Sequence, residues 1–177
     1  MMIVLYLLAI VLANVITASN DPIVWGKLII PAGSFLIGAT FILRDLVQNA
    51  IGRKRTYAAI AAAMVLSAAS SYALGDTLWI TAASALTFLC SETADTEIYT
   101  RLRLPMSVKV LYSGIVGGVL DSVIFVVIGL SPLGAGFLPW SLVGYAVAGQ
   151  IAVKVAMQGI GALAVHFVPQ TRSAKAS

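Results

Sequence analysis

The chain alternates long apolar stretches with short polar breaks. Residues that commonly end helices occupy the breaks, among them Gly52, Pro105 and the segment from Ser131 to Pro139. A helix needs about 20 mostly apolar residues to cross the hydrocarbon core of a bilayer, and the apolar stretches have about this length. The pattern predicts helices over residues 2–19, 32–50, 56–75, 77–103, 107–130 and 140–168. We therefore predict an all-α, polytopic membrane protein with six transmembrane helices, in which residues 1–177 form a single domain.

Composition supports a chain embedded in a lipid bilayer. Hydrophobic residues make up 60% of the 177 positions and charged residues 10%, whereas soluble domains carry about 25% charged residues. The mean hydropathy is +0.98. The single cysteine, Cys90, excludes an internal disulfide and a multi-cysteine metal site. We expect no metal and no cofactor.

The basic residues indicate orientation rather than a nucleic-acid partner. The formal net charge is +4, but the basic residues lie at the ends of apolar segments and form no continuous stripe. They concentrate at the second break, at the fourth break and at the C-terminal end: Arg53, Lys54, Arg55, Arg101, Arg103, Arg172 and Lys175. Because short cytoplasmic loops are enriched in Lys and Arg, both termini are predicted to be cytoplasmic, in a bacterial inner membrane. No basic residue precedes the first segment, which is therefore expected to be a retained helix and not a signal peptide.

Two charged residues lie inside apolar stretches. Asp121 lies in the fifth segment and Lys154 in the sixth, where a charge at bilayer depth costs at least about 2.5 kcal/mol and is retained only with a partner or a cavity. Helical spacing aligns Gly114, Gly117 and Gly118 with Asp121, and it aligns Gln150 and Gln158 with Lys154. We expect the two stripes to face each other. Two interpretations stay open, a structural ion pair that fixes helix register and a site that orients a ligand.

Further polar residues gather in the second and fourth segments. Asp45 follows Arg44 near the end of the second segment, where it is either a plain helix end or part of a cytoplasmic gate. In the fourth segment, Glu92 and Asp95 share one side, and Glu97 and Arg101 have the spacing of a surface pair.

Three short motifs occur in order along the chain. The first is RDLVQNAIGRKRTYAAI with Asp45 and Gly52, the second is DTEIYTRLR with Asp95, and the third is SGIVGGVLDSVIFVVIG with Asp121. With Lys154 in the last segment, they resemble the queuosine precursor transporters, also called the putative vitamin uptake transporter or VUT family. The resemblance covers nearly the whole chain. One departure is Asn49, where many members have glutamate.

The resemblance implies uptake of a 7-deazaguanine base such as 7-cyano-7-deazaguanine. A guanine-like edge presents two adjacent donors, which a carboxylate of Glu92, Asp95 or Asp121 can accept. Donors to the opposite side of the base are expected from Lys154, Gln150, Gln158 or Asn14, while Asp45 is also a candidate site residue. The flat ring is expected to stack on an aromatic side chain, for which the candidates are Phe41, Phe88, Tyr99 and Phe125.

The sequence also allows functions other than a self-sufficient importer. A substrate-binding subunit of an energy-coupling-factor importer also has six helices, and Ala9 and Ala13 give the first helix a small-residue face for a partner. Such a subunit needs separate ATPase partners. An intramembrane enzyme is disfavoured, since His166 is the only histidine and no nucleophile motif is present. A purely structural membrane protein gives no reason for Asp121 and Lys154. Energy source, homo-oligomer formation and an energising partner stay open.

Overall fold

The computed structural model describes residues 1–167 and is nearly all α-helical. The first four helices begin and end within three residues of the predicted positions, and so does the fifth when the π-helix that continues it to Leu130 is included. The helices are α1 (Met2–Ser19), α2 (Ser34–Ile51), α3 (Arg53–Ala73), α4 (Leu78–Arg101), α5 (Met106–Ile124) and α6 (Trp140–Phe167). The predicted end of the last helix at residue 168, together with Arg172 and Lys175, lies outside the described residues.

The sequence pattern did not predict two local features. A short antiparallel hairpin, β1 (Ile23–Trp25) and β2 (Leu28–Ile30), fills the first loop and turns at Gly26, which has φ +62°. Strands of three residues are too short to show a period of two. A π-helix (Phe125–Leu130) continues α5. Six consecutive apolar residues have no pattern of polar and apolar positions that would distinguish a π-helical turn from an α-helical one.

Helix α2 lies at the centre of the bundle and contacts each of the other five α-helices. Gly52 alone separates α2 from α3, with φ +80°, a backbone conformation that glycine adopts without strain. The remaining connections are also short, so consecutive helices run in opposite directions. Three connections, including the hairpin, therefore lie at one end of the bundle, which we call the hairpin end. Gly52 and the α4–α5 connection lie at the other, which we call the Gly52 end.

Polar side chains are buried in this bundle, while many large apolar side chains are exposed. Arg44, Asp45, Asp95 and Gln158 have no exposed surface, whereas Leu8 is 52% exposed. Soluble proteins rarely expose large contiguous apolar surfaces or fully bury unpaired charges. Within residues 1–167, four helices are long and apolar enough to cross a membrane: α1, α3, α5 with its π-helical extension, and α6. The remaining two, α2 and α4, carry the buried residues Arg44, Asp45, Glu92 and Asp95.

Candidate substrate site

A cavity of about 160 Å³ opens among the helices on the side of the hairpin end. Its outer part is lined by residues near the loops, including Thr17, Pro31 and Asp76. Its inner part is lined by residues from the middle of the bundle: Asn14 of α1, Thr87 and Phe88 of α4, Asp121 of α5, Phe125, and Gln150 and Lys154 of α6. For comparison, an engineered protein cavity of about 150 Å³ holds benzene. The cavity therefore suits a small cyclic molecule.

Lys154 is held by three acceptors at the inner wall of the cavity. Its ammonium pairs with Asp121 Oδ2 and donates to Ser122 Oγ at 3.0 Å and to Gln150 Oε1 at 2.9 Å. An ammonium has three N–H donors and no acceptor, so these partners use its whole capacity. Lys154 thus has no donor left for a ligand while this arrangement lasts. Its role here is to neutralise Asp121 and to orient its neighbours.

The same contacts leave specific polar atoms of the cavity wall without partners. Because Lys154 only donates, it fixes the oxygen of Gln150 towards itself, and the buried Nε2 of Gln150 has no hydrogen-bond partner among the described residues. The buried Thr87 hydroxyl has none either. Oδ2 of Asp121 pairs with Lys154, whose ammonium also binds Ser122, the residue next to Asp121. The side chain of Asp121 is 13% exposed. A buried polar group without a partner costs about 1–3 kcal/mol, which a ligand that pairs with it recovers.

Two aromatic side chains line the cavity, Phe88 and Phe125. Phe125 begins the π-helix, one turn after Asp121, and π-helical turns occur frequently at functional sites. Trp79 supports this segment from α4, since its Nε1 donates to the carbonyl oxygen of Ile128 at 2.7 Å. Two further predicted stacking residues, Phe41 and Tyr99, are not among the cavity-lining residues. Phe41 packs against α5 at Gly117.

A second polar group, which we call the Arg44 cluster, lies closer to the Gly52 end. Arg44 pairs with Asp45 at 2.9 Å, with Glu92 at 3.1 Å, and with Asp95. It also donates to Gln48 and Thr96. Asp45, Glu92 and Asp95, all predicted site residues, therefore surround one guanidinium and do not line the cavity. The sequence signal for the cluster was Arg44 itself, which was predicted either as a helix-end charge or as the partner of Asp45 in a cytoplasmic gate; its contacts with Glu92 and Asp95 were not predicted.

A family model described as putative vitamin uptake transporter matches residues 68–168, more than half of the chain. The chain belongs to this family. The matched region contains α4, α5 and α6, and with them Thr87, Asp121, Gln150 and Lys154 of the cavity wall. Family membership agrees with the sequence-based prediction of a multi-pass membrane transporter. No curated protein and no solved structure gives a significant match to the chain.

Two predicted site residues of the transporter have structural partners. Gln158 donates from Nε2 to the carbonyl oxygen of Gly38 at 2.8 Å and so links α6 to α2. Asn14 lines the cavity, but its amide donates to Ser67 and Ser70 of α3. Contact of either residue with a ligand stays a prediction. On this evidence Gln158 and the Asn14 amide hold helices together.

Glycines of α5 connect the two polar regions of the transporter. A Cβ on Gly117 would lie 3.0 Å from the Cβ of Asp95, and a Cβ on Gly118 would lie 3.2 Å from the Cβ of Lys154. The backbone of α5 therefore lies directly against one residue of the Arg44 cluster and one of the cavity wall. The absence of side chains at Gly117 and Gly118 is what allows this close approach.

Two further predictions concern the surface of the chain: an ion pair between Glu97 and Arg101, and a small-residue face on α1. Glu97 binds Arg53 and Tyr57 of α3 more closely than it binds Arg101, whose Nη2 lies 3.6 Å away. Ala9 and Ala13, proposed as a face for a partner helix, are 8% and 1% exposed. That face is already covered within the chain, so it offers no docking surface for a coupling subunit.

Proposed function

We propose that this transporter imports a queuosine precursor, a 7-deazaguanine base such as 7-cyano-7-deazaguanine, across a bacterial inner membrane. In this proposal all six helices span the membrane and both termini are cytoplasmic. One observation carries the choice of a planar, hydrogen-bonding base as cargo. The cavity wall combines a carboxylate, an unpartnered amide donor and an unpartnered hydroxyl with two aromatic rings.

The polar groups of the cavity suit the edge of a guanine-like base. Asp121, which Lys154 engages through Oδ2, has Oδ1 to accept from the N1–H and exocyclic amine of the base. The Nε2 of Gln150 is available to donate to the ring carbonyl, and Thr87 can donate or accept. Phe88 and Phe125 offer apolar ring faces to the flat heterocycle. The N1–H, the exocyclic amine and the ring carbonyl of the base would then each exchange a contact with water for one with the protein.

The position of the cavity supports an outward-facing state. The Gly52 end carries Arg53, Lys54 and Arg55, which are expected to be cytoplasmic. The cavity lies towards the opposite, hairpin end, so cargo would enter from outside. In this proposal the Arg44 cluster lies between the cavity and the cytoplasmic side, and its ion pairs would close the path. Import would require these contacts to rearrange.

The first test is uptake in bacterial cells that can neither synthesise 7-cyano-7-deazaguanine nor transport it. The cells would express only this chain, and the readout would be queuosine in transfer RNA at limiting external base. We expect queuosine to appear. Its absence, with the protein present in the membrane, would refute import of this base by the chain alone. Adding energy-coupling-factor partners would then distinguish a partner-dependent importer from a different cargo.

The same assay tests the proposed contact with Gln150. Gln150→Leu removes the amide donor from the cavity wall and should lower queuosine formation at limiting base by about fivefold or more, since a hydrogen bond to cargo contributes about 1 kcal/mol or more. Asp21→Asn, in the exposed first loop, is the matched polar control and should transport normally. Normal uptake by well-expressed Gln150→Leu would contradict the proposed binding mode.

A further inference from the structure

The Arg44 cluster contains more negative than positive groups. Asp45, Glu92 and Asp95 all contact the guanidinium of Arg44, and none of the four side chains is more than 1% exposed. With every group ionised, the cluster would hold a net charge of −2, since three carboxylates face one cation. Burying an uncompensated charge costs several kcal/mol per ion. The ionised cluster therefore needs further positive charge.

The surrounding helices do not supply that charge. From α6, Lys154 is engaged by Asp121, and from α5, Lys109 lies over the ring of Tyr99 at 5.2 Å. From α3, Arg53 and Tyr57 are bound to Glu97. The remaining neighbours contribute hydroxyls: Ser113 of α5, Tyr99 of α4 and Tyr6 of α1. Among the described residues, Arg44 is thus the one cation paired with these carboxylates.

Hydrogen bonding within the cluster is also incomplete. Arg44 Nη1 is occupied by Gln48 and Thr96, while its Nε and Nη2 face the three carboxylates. Glu92 Oε1 and Asp95 Oδ1 have neither an ion-pair contact nor a hydrogen-bond partner in the described part of the chain. The hydroxyl of Tyr6 is fully buried without a partner and within electrostatic reach of Glu92 and Asp95. A proton on a carboxyl would supply both a missing charge and a missing donor.

We infer that the Arg44 cluster is a proton-binding site, with Glu92 or Asp95 as the proton acceptor, and that proton movement through it drives import. The inference about import rests on the function proposed above. A proton fits better than a metal ion, because the guanidinium already lies among the carboxylates and repels a second cation. The described residues also contain no group of acidic, histidine or cysteine side chains arranged to hold a metal ion.

Two helices connect this site to the cavity. Helix α4 carries Phe88 at the cavity and Glu92 one turn further along, and α5 carries Asp121 at the cavity and Gly117 against Asp95. Losing or gaining a proton at Glu92 or Asp95 changes its attraction to Arg44 of α2. A change in that ion pair therefore alters the α2–α4 contact that closes the cytoplasmic side.

The test uses the purified full chain in proteoliposomes with radiolabelled 7-cyano-7-deazaguanine. Counterflow with equal pH on both sides measures binding and exchange without a driving force. An inward proton gradient of one pH unit, with the voltage clamped, should accumulate the neutral base about tenfold if one proton accompanies each molecule. We expect Glu92→Gln or Asp95→Asn, whichever removes the proton acceptor, to retain counterflow and to lose this accumulation, while Asp21→Asn retains both. Proton-driven accumulation in both variants would overturn the proton site.

Other outcomes separate the two proposals. Counterflow without proton-driven accumulation, or accumulation driven by a sodium gradient, would overturn the proton site while leaving the cargo intact. Absence of counterflow would refute the cargo. The proton site has a readout that needs no cargo, the infrared C=O stretch of a protonated carboxyl in the unliganded protein. This band should decrease in Glu92→Gln or in Asp95→Asn, and its absence from the wild-type protein would overturn the inference.

Discussion

Removing the charge of Asp121 separates its structural role from its role in cargo binding. Lys154 as a whole residue is 1% exposed, and in Asp121→Asn its ammonium loses its only ionic partner among the described residues. Breaking a buried ion pair by removing one partner costs about 3–5 kcal/mol. The neutral double variant Asp121→Asn, Lys154→Met removes the stranded charge, so most of that loss should be recovered. Thermal unfolding of the purified proteins in detergent measures both changes.

Uptake should respond differently from stability. The double variant keeps a folded bundle but lacks the carboxylate that would accept hydrogen bonds from the base. A hydrogen bond to a charged group contributes about 1.5–3 kcal/mol, which corresponds to a loss of roughly tenfold to a hundredfold in uptake at limiting cargo. Wild-type uptake by a stable double variant would refute the cargo role of Asp121. Unchanged stability of Asp121→Asn would refute the reasoning about the ion pair.

Two further predictions concern packing and orientation. Gly117→Ala should lower the unfolding temperature, because the new Cβ would lie 3.0 Å from both Asp95 and Phe41 and overpacking costs about 1–3 kcal/mol. The matched control is Gly144→Ala, since nothing lies within 4 Å of a Cβ at that position. An equal effect of both substitutions would contradict this explanation. With Cys90 replaced by Ala, a membrane-impermeant thiol reagent applied to intact cells should label Asp21→Cys but not Arg55→Cys, and the reverse pattern would contradict the predicted orientation.

Pairing of Asp121 with Lys154 could be predicted from the sequence because a charge is costly in an apolar helix. Each residue lies in an apolar segment, and helical spacing places each of them on one helix face with the glycines of α5 or the glutamines of α6. The same reasoning did not separate Glu92 and Asp95 from the cavity. Both have the spacing of one helix face, but which neighbouring helix that face meets depends on the packing of the bundle. In the structure, both side chains contact Arg44 of α2.

Local details of the cavity wall were also beyond sequence reasoning. Lys154 was expected to donate to a ligand, and its three protein acceptors become apparent only when Ser122 and Gln150 are placed around it. Thr87 gave no signal in the sequence, since threonine in a helix usually bonds to its own backbone. Its unpartnered hydroxyl is recognised only from the three-dimensional contacts.

The sequence by itself determined the helical segments, their apolar surface and the membrane family. These properties depend on local composition and on the cost of placing polar groups in lipid, which act segment by segment. Tertiary structure alone decided which polar residues share a cavity and which surround Arg44. Those contacts join residues far apart in the chain, such as Arg44 with Glu92 and Asp95. They depend on how six helices pack around α2, and periodicity along one helix carries no information about its neighbours.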